Sequence, residues 1–176
     1  CAESLWIAGG LYGNTFALQR LEELFAAEPG NARLVFNGDF HWFDVADAPF
    51  ADIERGVSRH AATRGNVETE ISRPQAGAGC GCGYPDWVDD DDVLRSNRII
   101  ERLKETARRA PDAAARLAAL PMYRIAEVGG QRVAIVHGDA DSLAGWGFSQ
   151  ETLATREGRG AAATAFRTAG VRVFAS

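Results

Sequence analysis

With 176 residues, of which 46% are apolar and 24% charged, the chain has material for one globular domain with a sizeable core. Its net charge of −5 argues against nucleic acid or an anionic membrane as the main partner, because both select basic surfaces. No apolar stretch approaches the roughly 20 residues that span a bilayer, and no secretory leader is visible in these residues. The three cysteines, Cys1, Cys80 and Cys82, form no framework. One residue separates Cys80 from Cys82, a spacing at which a bridge is strained. Free thiols and a reducing, cytoplasmic setting are therefore expected.

In chain order, residues 5–8 read as a short apolar strand and residues 9–13 as a glycine turn. Asn14 can cap a helix running to about Ala27, on which Phe16, Leu18, Leu21, Leu24 and Phe25 place a wide apolar face, and Pro29-Gly30 ends it. Residues 33–36 form a second strand leading into Gly38-Asp39, and a second helix covers 49–59. A less distinct strand at 60–63 leads into Arg64-Gly65-Asn66-Val67-Glu68. This βαβα order implies parallel strands with right-handed crossovers.

Between Arg73 and Asp86 the glycine-rich run 75–83 reads as irregular, a flexible lid with incidental thiols. Asp89 to Asp92 then lead a helix to about Ala110, their carboxylates complementing its dipole. A second helical segment covers 111–120, and strands at 123–128 and 132–136 flank the hairpin signal Gly129-Gly130. A helix at 161–169 and a strand at 170–175 close the chain, giving an α/β fold with one domain over 1–176.

Three segments carry the chemistry: Asn37-Gly38-Asp39, Gly65-Asn66 and Val136-His137-Gly138-Asp139. Each follows a strand, and in open α/β sheets ligands bind at that edge. Carboxylate, carboxamide and imidazole together suit a divalent ion such as Mn, Fe or Zn. In order and spacing the segments resemble the calcineurin-like metallophosphoesterases, from about Leu5 to the last residue. The resemblance implies two mixed sheets packed face to face with flanking helices, and hydrolysis of small phosphate monoesters or diesters. It makes Asp39 a metal-bridging ligand and places Asn66 and His137 on the second metal.

The departures from that pattern are specific. Gly10 stands where the family has an Asp ligand, Tyr12 where it has a His, and Val67 where many members have an acidic His. The family's final Gly-His-x-His motif would begin where Ser176 ends the chain. A reduced centre holding one ion is expected, as is a longer parent protein supplying the last histidine and the closing strands.

Other candidates remain open. His41, two residues after Asp39, either reaches a phosphate as a catalytic group or belongs to an aromatic loop covering the sheet edge. Gly13 and Asn14 could bind phosphate through the free N–H groups of a turn opening a helix. Asp139 either orients an imidazole or caps its turn. Beside the hydrolase stand two further readings: a degenerate relative that binds a phosphorylated ligand or a protein partner, and a metal-free α/β nucleotide-binding module using residues 9–14. Fold likeness does not choose among them.

Overall fold

The computed structural model describes residues 2–73, 79–86 and 88–176; Cys1 and residues 75–78 of the glycine-rich run lie outside them. The chain runs β1 (Ser4–Ala8), α1 (Thr15–Ala26), β2 (Ala32–Asn37), α2 (Asp47–Val57), β3 (Ala61–Thr63), α3 (Asn66–Ser72) and α4 (Asp90–Arg109). It continues through α5 (Pro111–Ala118), β4 (Tyr123–Val128), β5 (Gln131–Val136), α6 (Gln150–Ala154), α7 (Arg156–Ala169) and β6 (Val173–Ala175). No helix among the described residues is long and apolar enough to cross a membrane.

The strands form two three-stranded sheets, β1-β2-β3 and β4-β5-β6. In the first, α1 and α2 each return the chain to the same end, so all pairing is parallel. The second is mixed, since the Gly129-Gly130 turn folds β5 back antiparallel to β4 while β6 pairs parallel with β5. Of the two mixed sheets expected, one is therefore purely parallel. The expected Asn14 cap is in place, its Oδ1 accepting from the Ala17 amide at 2.9 Å, and Asp89 of the acidic run caps α4 by accepting the Asp91 amide.

Alternation along β2 divides its side chains between two faces. Leu34 and Phe36 join Leu18, Phe50, Ile53, Val57, Ile100, Leu103 and Leu117 in the main core under the helices. Val35 and Asn37 face the other way, and the Asn37 side-chain amide donates to the Val136 carbonyl at 2.8 Å. Arg124 Nε on β4 donates to the Ala62 carbonyl on β3 at 3.0 Å. These two bonds lash the second sheet to the first near the strand ends, which is where the site lies.

Two helices escaped the sequence reading. At α3 a turn was expected at Gly65-Asn66, but the Glu68 carboxylate accepts the Gly65 amide at 2.8 Å and starts a helix at Asn66. The short α6 precedes α7, which begins at Arg156 rather than near 161 because Thr155 Oγ1 accepts from the Gly158 amide.

Candidate functional site

Three strand ends meet at one point. Beyond β2 the chain turns through Gly38 and Asp39, both in the left-handed region at φ 67° and 47°. Asp39 pays about a kcal/mol or more for that conformation, and it aims the carboxylate at the end of β5. A methyl group at Gly38 would lie 2.6 Å from the Gly65 nitrogen and 2.9 Å from His137 Cγ. Glycine here is what allows the three segments to close on one another.

His137 is oriented by Asn37, whose carbonyl lies 2.9 Å from Nδ1. A carbonyl can only accept, so Nδ1 carries a proton and Nε2 faces the site. Nε2 lies 3.3 Å from Asp39 Oδ2 and 3.2 Å from Asn66 Oδ1. The Asn66 amide nitrogen donates to the Cys80 carbonyl at 3.1 Å, which fixes the carboxamide with its oxygen toward His137. Asn37 is a positioning residue that sequence reasoning missed, although it sat beside Asp39 in the segment singled out.

The three donor atoms suit a divalent cation. Ligands about 2.1 Å from one ion, at right angles, lie roughly 3 Å apart. That matches the separations from His137 Nε2 to its two oxygen neighbours. Among the described residues no three His, Cys, Asp or Glu side chains form such a group; here the third donor is the Asn66 carboxamide, which is an oxygen ligand of equal reach. In the metal-free chain the imidazole serves instead as Asp39's counter-ion. Burial opposes its charge, but the Asp39 hydrogen bond and charge prevail, with the Asn37 carbonyl and Glu68 adding, and raise its pKa to about 9.

Behind the triad stands Glu68, fully buried. One carboxylate oxygen accepts the amides of Asp39 and Gly65 at 2.8 Å each, and the other accepts that of His41 at 3.2 Å. Burial and the Asp39 charge push its pKa up to about 7, against the His41 charge and the backbone bonds. Glu68 therefore braces two strand ends rather than facing the cleft.

His41 is placed away from the cleft. It is fully buried, stacked on Phe50, with Nδ1 2.5 Å from Asp44 and Nε2 2.9 Å from Glu54. With both nitrogens engaged it has no free edge for a phosphate, so the geometry gives it a positioning role in the aromatic loop instead of a catalytic one. Arg116 closes the chain of charges on Glu54. Burial disfavours the His41 imidazolium, but bonds to Asp44 and Glu54 outweigh it and raise the pKa to about 9.

The sign of the resulting pH dependence follows directly. His41 and His137 hold protons in the folded chain at pH values where an unfolded histidine has released them, so folding is favoured below about pH 6.5 and that benefit disappears toward pH 9. The unfolding free energy of the metal-free chain, read from urea melts, is expected to fall across this window by an amount on the order of several kcal/mol. A flat profile from pH 6.5 to 9 would contradict both charge assignments.

The glycine turn does not offer the expected phosphate nest. The amides of Tyr12, Gly13 and Asn14 donate to the carbonyls of Asp39, Phe40 and Leu11, and the Asn14 side chain is the α1 cap. Gly13 and Asn14 are thus structural, and their amides do not face a phosphate. What the turn does is carry Tyr12 at φ 51° with its ring folded over Gly10. A Cβ at Gly10 would lie 2.8 Å from Tyr12 Cε2, so the ring occupies the space that a side chain at position 10 would need.

Cys80 and Cys82 are joined as a disulfide, contrary to the expected free thiols. Left-handed Gly81 between them curls the chain and brings the Cα atoms to 5.3 Å, inside the normal range for a bridge. Nor are these residues incidental to the site, since the Cys80 carbonyl holds Asn66 and the Cys80 amide donates to Asn97. Asp139 caps its own turn, accepting amides from Asp141, Ser142 and Gly147.

The triad opens on a cavity of about 440 Å³ walled by Tyr12, Trp42, Phe43, Tyr84 and Trp146. A larger cavity of about 670 Å³ lies between the second sheet and α7, walled by Ile125, Ala165 and Phe174, and reaches the triad at His137. The smaller one holds all three donors and is the candidate site.

Fold and site together describe a mixed α/β protein with an oxygen, oxygen, nitrogen donor set at its strand ends. No family model and no curated protein matches the chain. A solved structure, the hypothetical protein PH1004 from Pyrococcus horikoshii OT3, is similar at 16% identity with a TM-score of 0.53. The match covers 77% of this chain and 55% of that one, so the chain spans little more than half the length of that protein. At that identity the likeness concerns fold alone.

Proposed function

We propose that the chain is a divergent metallophosphoesterase-like hydrolase with a single-ion centre on Asp39, Asn66 and His137, acting on small phosphate monoesters or diesters. The observation that carries this reading is the convergence of those three donor atoms beyond β2, β3 and β5, with Asp39 Oδ2 3.3 Å and Asn66 Oδ1 3.2 Å from His137 Nε2. A divalent ion held there supplies Lewis-acid polarisation of a phosphate oxygen. Asp39 contributes the compensating negative charge, Asn37 keeps the His137 Nε2 lone pair turned inward, and Cys80 keeps the Asn66 oxygen turned inward. The Tyr12 phenol lines the same cavity, and burial together with the Asp39 charge raises its pKa, so its hydroxyl stays protonated as a donor to a phosphate oxygen.

Gly10 and the Tyr12 ring leave no donor pair for a second ion, which favours slow turnover. The same observation supports the second reading, a relative that binds a phosphorylated ligand without hydrolysing it. Calorimetric titration with manganese is expected to give one ion per chain, bound more tightly as pH rises from 6 toward 9, because His137 must lose a proton to bind. Aryl phosphate hydrolysis should be slow and vanish in His137→Ala. Two ions per chain, or binding indifferent to pH, would overturn the single-ion centre; one ion with no turnover would select the second reading.

A further inference from the structure

Four aromatic side chains from four distant stretches, Tyr12, Phe43, Tyr84 and Trp146, wall the cavity that holds the triad. Each is between 36% and 65% exposed and contributes ring surface to that cavity. They are held in place rather than dangling. Trp146 Nε1 donates to the Gly83 carbonyl at 3.1 Å, and its loop is gathered by the Asp139 carboxylate. The Tyr84 hydroxyl lies 2.9 Å from Ser96 Oγ, and the Phe43 amide donates to the Tyr12 carbonyl. An aromatic wall around a few convergent polar groups is how a pocket fixes a flat ligand and its charged end together.

We infer that the phosphate ester taken by this site carries a planar ring, a nucleobase or an aryl group, stacked among these four side chains while its phosphate faces the cation position set by Asp39, Asn66 and His137. The inference rests on the phosphoester reading above and adds the class of substrate. Stacking on an aromatic side chain strengthens base binding by about tenfold or more. The ring recognises the plane of the ligand and the triad its charge.

The test is calorimetric titration of the manganese-loaded chain with adenosine 5′-monophosphate, phenyl phosphate, ribose 5-phosphate and adenosine. Both ring-bearing phosphates are expected to bind at least about tenfold more tightly than ribose 5-phosphate. Adenosine 5′-monophosphate above phenyl phosphate identifies a nucleoside as the source of the ring, and equality identifies any aryl group. Trp146→Ala and Phe43→Ala, both at exposed positions, should bring the ratio to ribose 5-phosphate toward one. Ribose 5-phosphate binding as well as the ring-bearing esters would overturn this inference and leave the phosphoester reading standing. Adenosine binding as tightly as its phosphate would overturn the phosphoester reading and leave the aromatic cleft. Failure of all four ligands to bind would overturn both.

Discussion

Asp39→Ala is expected to abolish divalent-ion binding, a loss of more than about 100-fold in affinity. Of the triad, Asp39 alone is an anion; Asn66 is neutral, and His137 binds a metal only when neutral. Losing it leaves two neutral donors and no charge to offset desolvation of the ion. Asn66→Ala should cost less, since the carboxylate and the imidazole remain 3.3 Å apart. One complication is structural: Asp39 Oδ1 also accepts the buried Val67 amide at 3.1 Å, so alanine removes an acceptor as well as a ligand. Asp39→Asn keeps that bond and is the cleaner variant, predicted to fold normally and still bind manganese far more weakly. Metal content by plasma emission spectroscopy reads the result. Wild-type stoichiometry and affinity in Asp39→Asn would remove Asp39 from the centre.

Glu68→Ala is expected to be the most destabilising change near the site. It strands the buried amides of Asp39, Gly65 and His41 together, and an unsatisfied buried donor costs about 1–3 kcal/mol. The total is at least about 3 kcal/mol, equivalent to a fall in melting temperature of roughly 10 °C for a chain of this size. Glu68→Gln keeps one accepting oxygen and should lose noticeably less. Because the brace lies behind the triad, metal affinity should drop in proportion to the disorder it releases, not through any contact with the ion. Thermal unfolding of Glu68→Ala within a degree of wild type would show that the three bonds contribute nothing net.

The elements most legible in the sequence were those with local signals. The Asn14 cap, the acidic start of α4 and the Gly129-Gly130 hairpin all announce themselves within a few residues, and the structure places them there. Asp39, Asn66 and His137 were legible because strand-end chemistry leaves a short motif at each site, and the fold brings those motifs together. What the sequence concealed depends on partners far away in it. Glu68 read only as the acidic end of the 64–68 segment, yet two of its bonds go to a loop 27 and 29 residues earlier. His41 looked available until Glu54 and Asp44 closed on both nitrogens. Gly13 and Asn14 carried the composition of an anion nest, but the distant Phe40 carbonyl took the Gly13 amide and the local Leu11 carbonyl took that of Asn14. The aromatic wall had no signature at all, since Tyr12, Phe43, Tyr84 and Trp146 share neither period nor neighbourhood.

The Tyr12 ring lying across Gly10 ties the two positions into a single inherited character. A carboxylate at position 10 cannot enter while the ring is there, and a histidine at position 12 alone would face an empty glycine. Either single change sacrifices the existing arrangement without completing the other. On the proposed single-ion reading, a change between one-ion and two-ion forms of such a centre therefore requires the Tyr12 ring to move as well as a new side chain at position 10. Among chains sharing this architecture, Gly with Tyr and Asp with His should occur as matched pairs, and mixed combinations should be scarce.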